Sequence, residues 1–199
     1  MRYVGKICKL LLLLVLCSVD LSAQTATTVS NYPVIDLSAL NPLGVVLASA
    51  DASARRTQMN QQTPSNTTIL GVGESVSAHN GTWNAKMSIK YQVMRANHTI
   101  GTTDWTTAYN QCKSYNGEGG SAGQWRLPTQ RELQMIWILH PQLIGKGSFN
   151  AYSTGYYWSS TEYGGSYPNQ AWPVDFTNGY TANGVNKTNT YSVRCIRDL

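Results

Sequence analysis

Residues Gln124–Gln134 read QWRLPTQRELQ, and their reading decides the fold of the 199-residue chain. Pro128 disfavours helical backbone at Leu127 before it, so the chain enters extended. Thr129 and Glu132 form a T-x-x-E capping box, in which each side chain satisfies an otherwise orphaned amide of the first helical turn. Leu133, Ile136 and Trp137 then supply the buried face of a helix predicted to end near His140-Pro141. Arg126 has no role that local pattern explains. Upstream, Trp105, Ala108, Tyr109 and Cys112 recur at i, i+3, i+4 and i+7, one face of an earlier helix capped by Thr103 or Asp104. Cys112 therefore faces inward. Between the helices, Gly117–Gly123 (GEGGSAG) reads as a flexible loop.

Strands flank this helical pair. Ala85, Met87, Ile89, Tyr91 and Val93 alternate with polar neighbours over residues 84–94, the pattern of a half-buried strand. Tyr156–Ser160 is an aromatic strand, Gly164–Asn169 a loop, and Ala171–Phe176 a strand closed by an Asn178-Gly179 turn. Asn183-Gly184 marks another turn, and Tyr191–Ile196 reads as a final strand. A strand, two helices and several short strands describe an α+β protein with segregated helices. No internal repeat is present.

The N-terminal part divides differently. Residues 1–23 carry Arg2, Lys6 and Lys9, an aliphatic run over Leu10–Leu16, and Leu21-Ser22-Ala23 before Gln24. This is the layout of a secretory signal peptide. The apolar run is too short to span a bilayer, and no later run is longer. Leu14–Cys17 loosely resembles a lipobox that would lipidate Cys17, although Leu16 stands where a small residue is usual. Residues 24–84 are expected to form an arm or small β segment. Val34–Leu37, Leu43–Leu47 and Ile69–Val72 are candidate strands, and Arg55–Thr68 (RRTQMNQQTPSNTT) a polar loop or linker. Arg55-Arg56 is either a protease processing site or part of a solvated loop.

Composition narrows the function. Without Arg2, Lys6, Lys9 and Asp20, the 15 basic and 10 acidic residues fall to 12 and 9, a net charge of +3. The scattered basic residues do not make a nucleic-acid surface. Two cysteines remain beyond the signal region, Cys112 and Cys195. In an exported chain an even pair is most simply one disulfide; the competing readings are two free thiols or a metal site. His79, His98 and His140 lack the spacing of metal ligands, and no metal or other cofactor is expected.

Several stretches occur together in order: Trp105…Cys112, WRLPT over Trp125–Thr129 with Glu132-Leu133, YWSSTE over Tyr157–Glu162, Phe176 with Asn178-Gly179, and VRCIR over Val193–Arg197. The set resembles the Lcl-type C-terminal domain family, found at the C-terminus of bacterial collagen-like adhesins and in major paralogous domain proteins. The resemblance covers residues 85–199. It implies a C-type-lectin-like fold, two helices packed on a twisted antiparallel sheet with long loops. It also implies that the first-helix cysteine pairs with the last-strand cysteine. Members are exported or surface proteins often implicated in adhesion, and no catalytic residues carry over.

Catalytic constellations are missing from the pattern. No serine is tied to a histidine by the sequence pattern. Glu118, Glu132, Glu162 and Asp175 are the candidate carboxylates. Of these, Glu132 has a capping role and Glu162 reads as either a structural acceptor or a sugar contact. Tyr167-Pro168-Asn169 and Trp172-Pro-Val-Asp175 lack the acidic and amide groups that a calcium-dependent sugar site needs. Tyr163, Tyr167, Asn169 and Trp172, in or beside one long loop, are therefore the candidate ligand-binding residues. Trp105, Trp125, Trp137 and Trp158 lie on regular elements and are expected in the core. The expected function is an exported, non-catalytic surface binding or adhesion module for a glycan or extracellular protein. The alternative is a structural subunit of a surface assembly, with a secreted enzyme third.

Overall fold

A computed structural model describes residues 25–70, 86–97, 101–164, 166–181 and 184–199. The signal-peptide and Cys17 readings, part of the 69–72 strand, His98 and Asn183 lie outside these residues.

The strands are β1 Thr25–Val29, β2 Tyr32–Asp36, β3 Val46–Leu47, β4 Met87–Ser88 and β5 Lys90–Val93. They continue with β6 Trp125–Arg126, β7 Tyr156–Glu162, β8 Gln170–Asp175, β9 Val185–Asn186 and β10 Ile196–Asp198. Helices are α1 Ser49–Gln61, α2 Trp105–Ser114 and α3 Gln130–Leu143, with a 3-10 helix over Ser38–Leu43. The central sheet has the order β1-β2-β5-β10-β6, with all four pairings antiparallel. A second sheet has the order β7-β8-β9, and β3 pairs in parallel with β4. Mixed helices and sheets of this kind match the α+β expectation.

Strand alternation assigns the two faces of the central sheet. Ile35, Tyr91, Val93 and Ile196 join Leu133, Ile136 and Leu139 of α3 in one core. Met94, Trp125 and Cys195 join Trp105, Ala108 and Cys112 of α2 in the other. Strand β7 serves both, placing Tyr157 in the first core and Trp158 in the second. The stretch 84–94 was expected to be half-buried, yet Met87, Ser88, Tyr91, Gln92 and Val93 are all buried. Helices cover the sheet on both faces, so its polar positions are enclosed as well. Trp105, Trp125 and Trp158 are fully buried, whereas Trp137 is partly buried and packs against the first core.

The capping box expected at Thr129 is present: Glu132 N donates to Thr129 Oγ1 at 3.3 Å and Thr129 N to Glu132 Oε2 at 2.9 Å. Helix α3 continues past His140-Pro141 to Leu143. Pro141 lies in the last turn, where its missing N–H forfeits one bond without ending the helix. The earlier helix is capped by Asp104, which accepts from Thr107 N at 3.0 Å.

The polar linker expected at 55–68 is instead helical up to Gln61. Its buried stripe is Ala52, Arg55 and Met59, at i, i+3 and i+7. A stripe containing an arginine and an alanine has no hydrophobic signature. Helix α1 seals the β6 edge of the sheet, with Asn60 Nδ2 donating to Gly123 O (2.8 Å) and Trp125 O (3.1 Å). Tyr109 Oη donates to Met59 O at 2.7 Å. Processing after Arg55 would require this helix to unfold, because Arg55 is 1% exposed.

Arg126 finds its role here. It donates bidentately to Glu132 (2.7 and 2.8 Å) and to Asp198 (3.0 and 2.7 Å). Arg55 adds 2.6 Å to Glu132 Oε1, which also accepts from Ser88 N at 2.9 Å. Ser88 Oγ donates to Asp198 Oδ1 at 2.6 Å. Two cations and two anions thus neutralise one another in a fully desolvated cluster. Burial alone would raise the Glu132 pKa, but Arg126 and Arg55 outweigh it and hold the carboxyl well below its usual range.

Cys112 and Cys195 form a disulfide with Cα atoms 5.3 Å apart, closing a loop of sequence separation 83. It ties α2 to the residue entering β10.

Two outcomes follow. Replacing both cysteines by alanine should cost about 4 kcal/mol in urea denaturation, the loop-closure entropy of a chain this long. The depressed Glu132 pKa contributes stability that is complete above its unfolded value near 4.5 and is lost as pH falls through the folded value. Denaturation midpoints should therefore be flat for this group near neutrality and decline progressively below about pH 4.5, less steeply in Glu132→Gln.

Candidate functional site

The loop between β7 and β8 and the segment around β9 form an aromatic ledge over a buried ion pair. Tyr163 N donates to Gln170 O (3.0 Å) and Gln170 N to Tyr167 O (3.1 Å), folding the loop tightly. Gly164, at φ +76°, makes the reversal that a side chain would strain. The Tyr163 and Trp172 rings stack with centroids 5.2 Å apart and planes at 24°. Tyr167 meets Tyr163 edge-on at 5.5 Å and is 52% exposed. A Cβ on Gly184 would collide with the Tyr163 ring, so glycine lets the β9 segment close against the ledge.

The structure thus brings Tyr163, Tyr167 and Trp172 together. Asn169 sits beside them half-buried, and its carbonyl accepts from Lys187 N at 2.8 Å. Trp172 keeps its Nε1–H buried without a hydrogen-bond partner among the described residues.

Beneath the ledge lies Lys187, fully buried. Its Nζ donates to Glu162 Oε1 at 2.6 Å, to Thr68 O and Pro168 O at 2.9 Å, and to Ser65 O at 3.3 Å. It also lies 4.3 Å from the centroid of the Trp105 ring. Glu162 additionally accepts from Leu70 N at 2.9 and 3.1 Å. One ammonium therefore gathers oxygens from the 65–68 segment, the end of β7 and the ledge loop. Burial lowers the Lys187 pKa, and the Glu162 carboxylate opposes that shift. Sequence spacing carried no signal for Lys187, which stands among Asn and Thr residues in Val185–Thr190.

Trp105 and the YWSSTE strand fix this floor. Trp105 Nε1 donates to Ser159 O at 2.8 Å, and Trp158 Nε1 to Thr103 O at 2.7 Å. Ser160 N donates to Pro128 O at 2.8 Å, and Gln130 N to Thr161 Oγ1 at 2.8 Å, so the two motif segments are bonded to each other. Ser159 Oγ donates to Trp172 O, which anchors the ledge strand to the same floor.

The described residues hold no group of three or more His, Cys, Asp or Glu placed for a metal ion. No helix among them is long and apolar enough to cross a membrane. The family model of the Lcl C-terminal domain matches residues 76–197. The chain belongs to the Lcl C-terminal domain family. A search of the curated proteins finds no match. Within this Lcl C-terminal domain chain, β1, β2 and α1 precede the matched residues, yet β2 bonds to β5, α1 to β6 and Glu132, and β1 to Gln142.

Lys187→Met should strand the Glu162 carboxylate and cost about 3 kcal/mol in chemical denaturation. Lys187→Met with Glu162→Gln should recover at least half of that loss, because the uncompensated charge is removed.

Proposed function

We propose that this chain is an exported, non-catalytic binding module of the bacterial surface, with a C-type-lectin-like fold, that presents the Tyr163–Tyr167–Trp172 ledge to a glycan or an extracellular protein. The observation that carries the reading is the exposed Tyr167 ring beside a stacked Tyr163–Trp172 pair, on a loop clamped from below by Lys187. Rigid aromatic faces supply contact area at low entropy cost and suit both sugar rings and protein epitopes. Loops held on a rigid scaffold are the usual place for such contacts. The sequence supports export through its N-terminal pattern, and family membership supports a role in adhesion.

A second reading, a structural subunit of a surface assembly, is favoured by one observation. Strand β1, TATTV, forms an edge of the central sheet without charge or proline. Such edges accept a further strand. Ala26 N, one of its outward groups, is already covered by Gln142 Oε1 at 3.4 Å. Sedimentation that shows a monomer at all concentrations would remove this second reading.

Purified protein screened against arrays of glycans and matrix proteins should bind at least one class. Tyr167→Ala and Trp172→Ala should each weaken that binding by about tenfold or more while leaving the far-UV spectrum unchanged. Absence of binding on both arrays, or binding indifferent to both substitutions, would overturn the assignment to the ledge.

A further inference from the structure

The open edge of the central sheet carries a bonding pattern that decides what can pair with it. Strands β1 and β2 are joined by the two-residue turn Ser30-Asn31, so Val29 and Tyr32 form a hydrogen-bonded pair. Ladder alternation then bonds Thr27 to Val34 and turns Ala26 and Thr28 outward. Ala26 N accordingly reaches away from β2 to Gln142 Oε1, at 3.4 Å a long bond to an exposed residue. The Ala26 carbonyl and both backbone groups of Thr28 have no partner among the described residues.

These outward groups are symmetric about Thr27. A two-fold axis beside Thr27 sets Ala26 of each copy opposite Thr28 of the other, and Thr27 opposite its own counterpart. Each Ala26–Thr28 pair exchanges two backbone bonds, so four form and no outward group of the two residues is left over. Val29, 41% exposed, comes opposite position 25 of the second copy, which extends the row of β-branched pairs that suit neighbouring strands. Helix α3 runs along the same edge. Gln142 reaches it, and Ile138, one turn earlier on that face, is 56% exposed. The same two-fold places both α3 helices on one side of the joined sheet, with these exposed faces toward each other.

Charge points to the same occupant. A two-fold sets each group near the axis against its own kind, so a charged edge would repel its copy. Residues 25–31 and 138–144 contain no Asp, Glu, Lys or Arg, in a chain that carries 15 basic and 10 acidic residues. Arg95, which donates to Asn31 O at the hairpin turn, is kept from its counterpart because antiparallel pairing carries the two turns to opposite ends of the ribbon. The opposite edge of the sheet is closed: α1 lies along β6, with Asn60 donating to Gly123 O and Trp125 O. Pairing through β1 therefore ends at two copies and does not propagate.

We propose that β1 pairs with β1 of a second copy of this chain, in a two-fold antiparallel ribbon centred on Thr27, and that Gln142 swings off Ala26 N as the second strand enters. This pairing rests on the same open edge as the assembly reading and names its occupant. Four backbone bonds, Val29 and Ile138 make a contact at the small end of specific interfaces, with a dissociation constant on the order of 0.1 mM.

The test is sedimentation of the full chain from about 10 µM to 1 mM, a range that spans this affinity. The unsubstituted chain should pass from monomer to dimer. Thr28→Pro removes two of the four bonds and should abolish the dimer. Thr27→Lys and Thr27→Glu each set like charges across the axis and should weaken it by about tenfold or more, whereas an equimolar mixture of the two should associate again as a mixed pair. Gln142→Ala, which uncovers Ala26 N, should strengthen it. A monomer at every concentration would overturn both this pairing and the assembly reading, and leave the edge to a foreign strand or to none. Association unchanged by Thr28→Pro and by Thr27→Lys would overturn the ribbon alone, placing the contact on another surface. Failure of the Thr27 mixture to associate would overturn the position of the axis. Should Thr28→Pro not fold, the Thr27 pair decides. None of these results depends on what the Tyr167 ledge binds.

Discussion

A single buried carboxylate holds the architecture together. Glu132 caps its own helix, receives both Arg126 and Arg55, and accepts the backbone N–H of Ser88. Through these partners it joins α3 to β6, α1 and β4, while Arg126 extends the link to Asp198 on β10. A cluster of this kind is costly to desolvate and is tolerable only when every charge is matched. With Glu132 and Asp198 facing Arg126 and Arg55 the charges cancel, and Ser88 fills the remaining gap. The consequence is specificity of arrangement: α1 cannot leave the sheet edge without leaving one carboxylate charge uncompensated in a dry interior.

The disulfide acts in the other core. It fixes α2 against the strand entering β10, and Trp105, Trp125 and Trp158 pack around it. One face of the sheet is thus locked by charge and the other by a covalent bond. Loops that emerge from both can be long without being loose. On the ledge side an ammonium replaces further cross-links: Lys187 draws three carbonyls and Glu162 into one focus. This device resembles what a bound metal ion does for a loop cluster, achieved with a side chain.

Local chemistry made part of this legible. The T-x-x-E box, the Trp105–Cys112 stripe and the aromatic strand at 156–160 each depend on neighbours a few residues away, and each is where it was expected. Aromatic residues in and beside a loop are conspicuous in a sequence, and the structure brings the rings of Tyr163, Tyr167 and Trp172 together. Features that depend on distant partners were not legible. Arg55 looked like a solvated linker residue because its stripe on α1 pairs with a carboxylate 77 positions away. Arg126 was unexplained for the same reason, since Asp198 is 72 positions off. Lys187 gave no signal because its ligands are mostly backbone carbonyls, which every residue carries. The strand at Thr25–Val29 was hidden by composition: TATTV, three threonines with one alanine and one valine, lacks the apolar contrast that marks a buried face.

The central claim is that Glu132 organises α1 as well as its own helix. Amide hydrogen exchange on Glu132→Gln, compared with the unsubstituted chain at pH 7, tests it most directly. The account predicts that amides of residues 52–61 and of Ser88 lose protection together, by far more than those of β7 and β8. Loss confined to the first turn of α3, with α1 as protected as before, would show that the carboxylate is only a helix cap and would contradict the account.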